Sequence, residues 1–151
     1  MSGITDLRTL LSSMQPTPAD GEFVFCTLPG ARYGAGAEHA PVASFAEEEG
    51  LTLVLPRERA DAAGLPYAGA FRMLTLRVHS SLDAVGLTAA VAACLTERGI
   101  SANVLAAFFH DHVFVPADRA AEALDALRSL SRAAAGSSQQ TASRPSGRRS
   151  P

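Results

Sequence analysis

Lysine is missing from this sequence altogether: all 13 basic residues among its 151 are arginine, a compositional bias rather than a functional signal. Tryptophan is missing too, and aromatics make up only 6% of the chain. Cysteine occurs twice, at Cys26 and Cys94, one in a predicted strand and one in a predicted helix. No metal-ligand spacing connects the two, so they read as buried free thiols. No apolar run reaches the roughly 18 residues of a membrane helix. The opening MSGITDLRTLLSSM holds Asp6 and Arg8 and lacks the continuous apolar stretch of a secretory leader. The expected location is therefore the cytoplasm, with no membrane partner.

The content is otherwise that of a globular chain, 47% hydrophobic and 19% charged, long enough for one domain or two small ones. Charge is unevenly placed. Residues 1–131 hold nine arginines against all fifteen acids, a net −6, which argues against nucleic-acid binding by the folded body. Residues 132–151 hold Arg132, Arg144, Arg148 and Arg149 and no acid. This tail is rich in Ser, Gly, Gln and Pro, lacks large apolar residues, and is expected to be disordered.

Ile4–Met14 predicts a short helix, with Ile4, Leu7, Leu10 and Leu11 on one face. Gln15–Gly21 reads as a Pro-containing linker. Glu22–Leu28 reads as a strand, Pro29–Pro41 as a Gly/Ala-rich surface loop, and Val42–Phe45 as a weak strand. Glu47-Glu48-Glu49-Gly50 makes a turn into the strand Leu51–Leu55, and Pro56–Ala63 a short helix closed by Gly64.

The stretch Phe71–Pro116 organises the rest. Phe71–Val78 has the β-branched, aromatic and large apolar residues of a half-buried strand. Ser80 is a good N-cap with Asp83 three residues on, in a shortened capping box, and a helix is expected over Ser81–Arg98. It would carry Leu87, Val91, Cys94 and Leu95 on one face and end at Gly99. Ile100–Phe109 is apolar enough for a central strand; His110-Asp111 would make the turn, and His112–Val115 the return. Pro116 would open the last helix, Asp118–Ser131, with Ala120, Leu124, Leu127 and Leu130 inward. Gly86 stands out inside the first turns of an Ala-rich helix, where it costs about 1 kcal/mol against alanine. Either helix and sheet pack closely there, or something approaches the backbone at an open helix N-terminus, a ready anion site.

Strand, polar loop, an early helical glycine, helix, Gly99 and then Ile100-Ser101-Ala102-Asn103-Val104 resemble the ACT domain, a small module that binds amino acids and regulates enzymes of amino-acid metabolism. The family's Asp-x-Pro-Gly loop is similar to Asp83-Ala84-Val85-Gly86, with Val85 in the proline's place. Its helix exit is close to Arg98-Gly99-Ile100-Ser101-Ala102-Asn103. The run through His110-Asp111-His112-Val113-Phe114-Val115-Pro116 looks like a subgroup of small bacterial ACT proteins, similar to eukaryotic arginine sensors built from stacked ACT modules. The resemblance covers roughly Leu10–Leu130. It implies an α+β, ferredoxin-like fold: an antiparallel sheet with helices on one face.

An internal echo divides the chain. Leu53-Val54-Leu55-Pro56-Arg57-Glu58-Arg59-Ala60 parallels Val113-Phe114-Val115-Pro116-Ala117-Asp118-Arg119-Ala120: strand, proline, then a helix with an acid, Arg and Ala. Residues 1–66 are read as a degenerate ACT-like half lacking its first helix, 67–131 as the fuller half, and 132–151 as the tail. Two complete units would need eight strands and about six are readable, so Phe71–Val78 must close one half or open the other.

The resemblance places a ligand, an amino acid or similar small molecule, at an interface between modules. The loop Ser80-Ser81-Leu82-Asp83-Ala84-Val85-Gly86 and Asn103 are its expected binding residues. Helix N–H groups would take a carboxylate, and Asp83 or the Asn103 amide an ammonium. The plainer alternative is that Ser80 and Asp83 merely cap the helix, and Asp83 would also repel a carboxylate bound at the same turn. His110 and His112, two apart, could share a strand face, but no third ligand is readable for a tetrahedral metal. No catalytic nucleophile, phosphate loop or carboxylate pair is recognisable. The expectation is a non-enzymatic regulatory module, a homodimer, without a cofactor. A ligand-free interaction module and a small metal-dependent enzyme using His110 and His112 are the alternatives.

Overall fold

The computed structural model describes residues 3–137. In chain order these form α1 (Leu7–Ser12), β1 (Pro16–Pro18), β2 (Phe23–Pro29), β3 (Ala43–Glu47), β4 (Gly50–Pro56), α2 (Arg57–Ala63), β5 (Phe71–Leu76), α3 (Leu87–Thr96), β6 (Asn103–Ala106), β7 (Asp111–Pro116) and α4 (Ala120–Gly136). All seven strands join one antiparallel sheet in the order β3-β4-β2-β5-β7-β6, with β1 lying along β5 beside β2. The fold is α+β and ferredoxin-like, as the sequence implied.

The echo is a structural duplication. Pro56 and Pro116 end equivalent strands with nearly equal backbone angles, φ −56°, ψ 133° and φ −50°, ψ 135°. Pro56 pairs with Phe23 at the start of β2, and Pro116 with Phe71 at the start of β5. The N–H after each proline reaches back to the residue before that strand, Arg57 to the Glu22 carbonyl and Ala117 to the Ala70 carbonyl, at 2.9 and 3.0 Å. Pro56 is the N-cap of α2, and Pro116 caps the 3-10 turn Ala117–Arg119 that leads into α4, so neither lies inside a helix. Strand β5 then answers which half owns residues 70–78: both do. In chain order it is the last strand of the first half, whose spatial order is β5-β2-β4-β3, and the first after α2 of the second, whose spatial order is β1-β5-β7-β6. β1, from the chain's beginning, pairs with β5 where a fourth strand of the second half would stand.

Period-two alternation sorts side chains between two faces. On the helical face, Leu74, Leu76, Val113 and Val115 pack with Leu10 and Met14 of the N-terminal segment, Leu87, Val91 and Leu95 of α3, and Ala123, Ala126 and Leu127 of α4. Beside them Val24, Cys26, Leu51, Leu53, Leu55 and Ala60 form the core beneath α2. The other face holds Phe23, Val54 and Phe114 with Phe25, Phe71 and Met73, the rings meeting edge-on at 5.3–6.0 Å. All helices lie on the first face.

The structure corrects the expected elements in five places. The supposed linker at 15–21 contains β1, where Pro16 and Pro18 alternate with Thr17 and the Ala19 N–H reaches the Met73 carbonyl at 2.9 Å. Helix α1 covers Leu7–Ser12, its Asp6 cap accepting from the Thr9 N–H at 2.8 Å, and Ile4 and Leu7 are largely exposed while Leu10 and Met14 are buried. Helix α3 begins at Leu87 rather than Ser81. Strand β6 is four residues long and lies at a sheet edge, the reversal using Ala107–His110, so Asp111 is the first residue of β7 rather than a turn residue. Helix α4 continues through residues 132–136 of the expected tail, and residues 138–151 lie outside the described residues.

Gly86 is the N-cap of α3, not a helical residue. Its φ is +101°, and a Cβ there would stand 3.0 Å from Leu7 Cδ2. The backbone angle, rather than an approaching ligand, explains this glycine. Valine, which helix propensity alone would favour, is excluded on the same ground. Gly86→Ala should cost about 1–3 kcal/mol, read as a lower urea midpoint at unchanged slope. Leu10 is fully buried among residues of the second half. Leu10→Ala should cost about 2–5 kcal/mol, and a loss below 1 kcal/mol would mean that α1 does not dock.

Candidate functional site

Beyond β5 the chain passes buried Val78 and is tied down by the N-terminus. The Ile4 N–H donates to the His79 carbonyl at 2.9 Å, and the Ser81 N–H to the Ile4 carbonyl at 3.0 Å. Ser80 is held in this bridge and caps nothing. The local side-chain bond belongs to Ser81, whose Oγ accepts from the Asp83 N–H at 3.2 Å while its carbonyl accepts from the Ala84 N–H at 2.9 Å. A tight turn results. Gly86 then starts α3 without any side-chain cap, so no side chain satisfies the N–H groups of its first turn.

Between this loop and the sheet lies a pit of about 70 Å³, walled by Ser80, Ser81, Leu82, Ala84, Leu87 and Thr88 on one side and by Ala106 and Asp111 on the other. Of the residues expected from sequence, Ser80, Ser81, Leu82 and Ala84 gather here. Asp83, Val85 and Gly86 do not line it, and the Val85 side chain is exposed. Asn103 is not brought to the loop. It pairs with Phe114 in the ladder and so shares the opposite face of the sheet.

The residue that sequence reading missed is Asp111. It pairs with Leu76 and Ala106, shares the helical face with Val113 and Val115, and is buried. Burial pushes its carboxyl above the usual carboxylate range, and His112 and His110 oppose this only in part. No salt bridge reaches it among the described residues. Period two along Asp111-His112-Val113-Phe114-Val115 was the available signal, since the aspartate falls in phase with the valines.

The four histidines are dispersed. His110 Nδ1 lies 3.3 Å from the Val78 carbonyl, and His112 Nδ1 lies 3.0 Å from Thr75 Oγ1. His79 stacks near Phe109, and His39 lies beside Glu38. Burial first, then the neighbouring His110, hold the His112 pKa below the ordinary imidazole value, so its ring is neutral at pH 7. Among the described residues no three His, Cys, Asp or Glu side chains come together as a metal site. No described helix is long and apolar enough to cross a membrane.

Comparison with known proteins follows the duplication. Two ACT-domain family models match the chain, one over residues 2–72 and the other over 70–129, meeting at the start of β5. A Vibrio cholerae protein of unknown function, described as a possible transport protein, is 49% identical over 86% of this chain and 99% of its own, with a TM-score of 0.76. An Agrobacterium tumefaciens protein shares the fold at 18% identity and TM-score 0.64, covering 77% of this chain and 87% of its own. So does the ligand-free regulatory subunit of aspartate kinase from Thermus thermophilus, at 10% identity and TM-score 0.59 over 78% and 97%. No curated protein matches. With both halves of its sheet covered by models of one family, the chain belongs to the ACT-domain family.

Proposed function

We propose that this protein is a regulatory, non-catalytic module that binds an amino acid or similar small ligand at the Ser80–Gly86 loop, where a second copy covers the pit. The observation that carries this reading is the buried, unpaired Asp111 carboxylate beside the uncapped start of α3. A desolvated carboxylate is stabilised by a cation, and open helix N–H groups by an anion. A zwitterion supplies both, so Asp111 takes the ammonium role first given to Asp83 or Asn103. Alone, a pit of about 70 Å³ is far below the ~300–1,000 Å³ of a small-molecule site. A second surface must complete it. Leu82, Val85, Phe108 and Phe109 are all more than half exposed on the loop and the β6–β7 reversal, with Phe109 5.3 Å from His79, and form the apolar rim such a surface would meet. The same rim supports a second reading, a ligand-free interaction module.

A thermal-shift screen of the amino acids separates the two. A ligand bound only by the folded state adds roughly 2.7 kcal/mol at about 100 times its Kd, a rise of roughly 5–10 °C for a domain of this size. No shift with any amino acid would leave the interaction module. Asp111→Asn should abolish the shift. The same variant tests the carboxyl's burial. Its pKa is higher folded than unfolded, so the folded state binds more protons in that interval and stability falls as pH rises through it. The variant should therefore match the wild type below the ordinary carboxylate pKa and be the more stable of the two at pH 7. A variant less stable at pH 7 would show that Asp111 is satisfied in the apo protein.

A further inference from the structure

A cavity lies on the face away from the helices, and none of its chemistry is used by the pit. The edge strands β3 and β6 stand at opposite ends of the strand order, yet both line it. The sheet is therefore curled, with the cavity in its hollow. Its volume is about 570 Å³, within the range of small-molecule sites. Val42 and Phe45 wall one side, Leu105 the other, and Met73 and Phe114 the floor. His112 is the polar side chain that the register turns into it, Ser44 pairing with Leu53 of the other face, and no acid is among its lining residues.

His112 is held rather than loose. Thr75, itself buried, lies with Oγ1 3.0 Å from Nδ1. When the threonine hydroxyl donates to Nδ1, the neutral ring carries its proton on Nε2, which has no hydrogen-bond partner among the described residues. Nε2 then presents a donor to an apolar hollow. Arg77 lies just past the end of β5, and it and His110 depress the His112 pKa, while Asp111 opposes them. Asp111, the nearest acid, faces the other side of the sheet.

We propose that this hollow is a second ligand site, for a small monocarboxylic acid with an aliphatic or aromatic body. The apolar walls would bury the body. The carboxylate would accept from His112 Nε2, with the Arg77 guanidinium near it. A strongly polar ligand would leave the walls unused, and an amine would meet a ring N–H donor rather than an acceptor. The site lies on the opposite face from the pit, and its occupation is measured without any ligand there.

Octanoate serves as the probe at pH 7.5, with 1-octanol as its neutral counterpart. Titration calorimetry gives affinity and stoichiometry, and ¹³C-methyl spectra of the methionines give the place. Met73 lines the hollow, whereas Met14 is buried on the helical face. Octanoate should bind once per chain and shift Met73 but not Met14. His112→Leu should weaken octanoate at least tenfold and leave octanol within twofold. Leu105→Trp, at a half-buried edge position, should fill the hollow and abolish binding of both. If that variant does not fold, His112→Leu and the Met73 shift decide alone. No binding of millimolar octanoate, a shift at Met14 instead of Met73, or equal loss of octanol in His112→Leu would each overturn the proposal. So would a chain that is dimeric through this face, shown by Leu105→Trp becoming monomeric in sedimentation.

Discussion

A β-strand has two hydrogen-bonding edges, and in β5 both are fully committed. One edge carries β7 from Phe71 to Leu76. The other meets β2 at Phe71 and then β1 from Leu74 to Leu76. The six residues of β5 thereby close the first half and open the second, and the N-terminal segment completes what the second half lacks. Neither half has a whole sheet without the other. Leu10 and Met14 extend the dependence into the core, since they lie early in the chain but pack among α3, α4 and the second half's strands. The Ser131 hydroxyl, donating to the Ser12 carbonyl at 3.2 Å, ties the last helix to the first.

This sharing explains what could be read from the sequence. The echo around Pro56 and Pro116 was visible because a strand running through proline into a helix needs the same residue types each time. The duplication followed from it, while the antiparallel sheet with helices on one face followed from the order of elements and the family resemblance. Strand β1 stayed hidden because proline is ordinarily a mark against a strand. With Ala19 donating to Met73, the bonding positions are the odd ones. The nitrogens of Pro16 and Pro18 then point away from β5, and the missing N–H groups cost the ladder nothing.

The site was less legible, for reasons of the same kind. Gly86 looked like a misplaced helical residue because its positive φ leaves no mark in the sequence apart from the glycine itself. Phe108 and Phe109 looked like strand interior because they are apolar, yet both are exposed on the reversal between β6 and β7. Extending the strand through them moved the turn to His110-Asp111 and made a buried carboxylate look like a turn residue. The expected loop Ser80–Gly86 gathers four of its residues at the pit, but Asn103, its expected partner, lies on the opposite face. The residue that does face the loop is set by the side on which each residue of β7 projects, which a shifted turn obscures.

On β7, adjacent residues serve opposite faces of one sheet. Asp111 projects toward the helices and the pit, and His112 toward the hollow. Each is displaced from its ordinary pKa chiefly by burial, and each partly offsets the other's displacement. The electrostatic link crosses the sheet within a single peptide unit, so no chain of side-chain movements is needed to carry it. A charge on either group favours the opposite charge on its neighbour. An anion at His112 would favour the imidazolium, which would lower the cost of ionised Asp111 and so suit an ammonium group in the pit. By thermodynamic linkage the effect is equal in the reverse direction. In a curled sheet whose two halves share a strand, this adjacency is the shortest physical connection between the two faces.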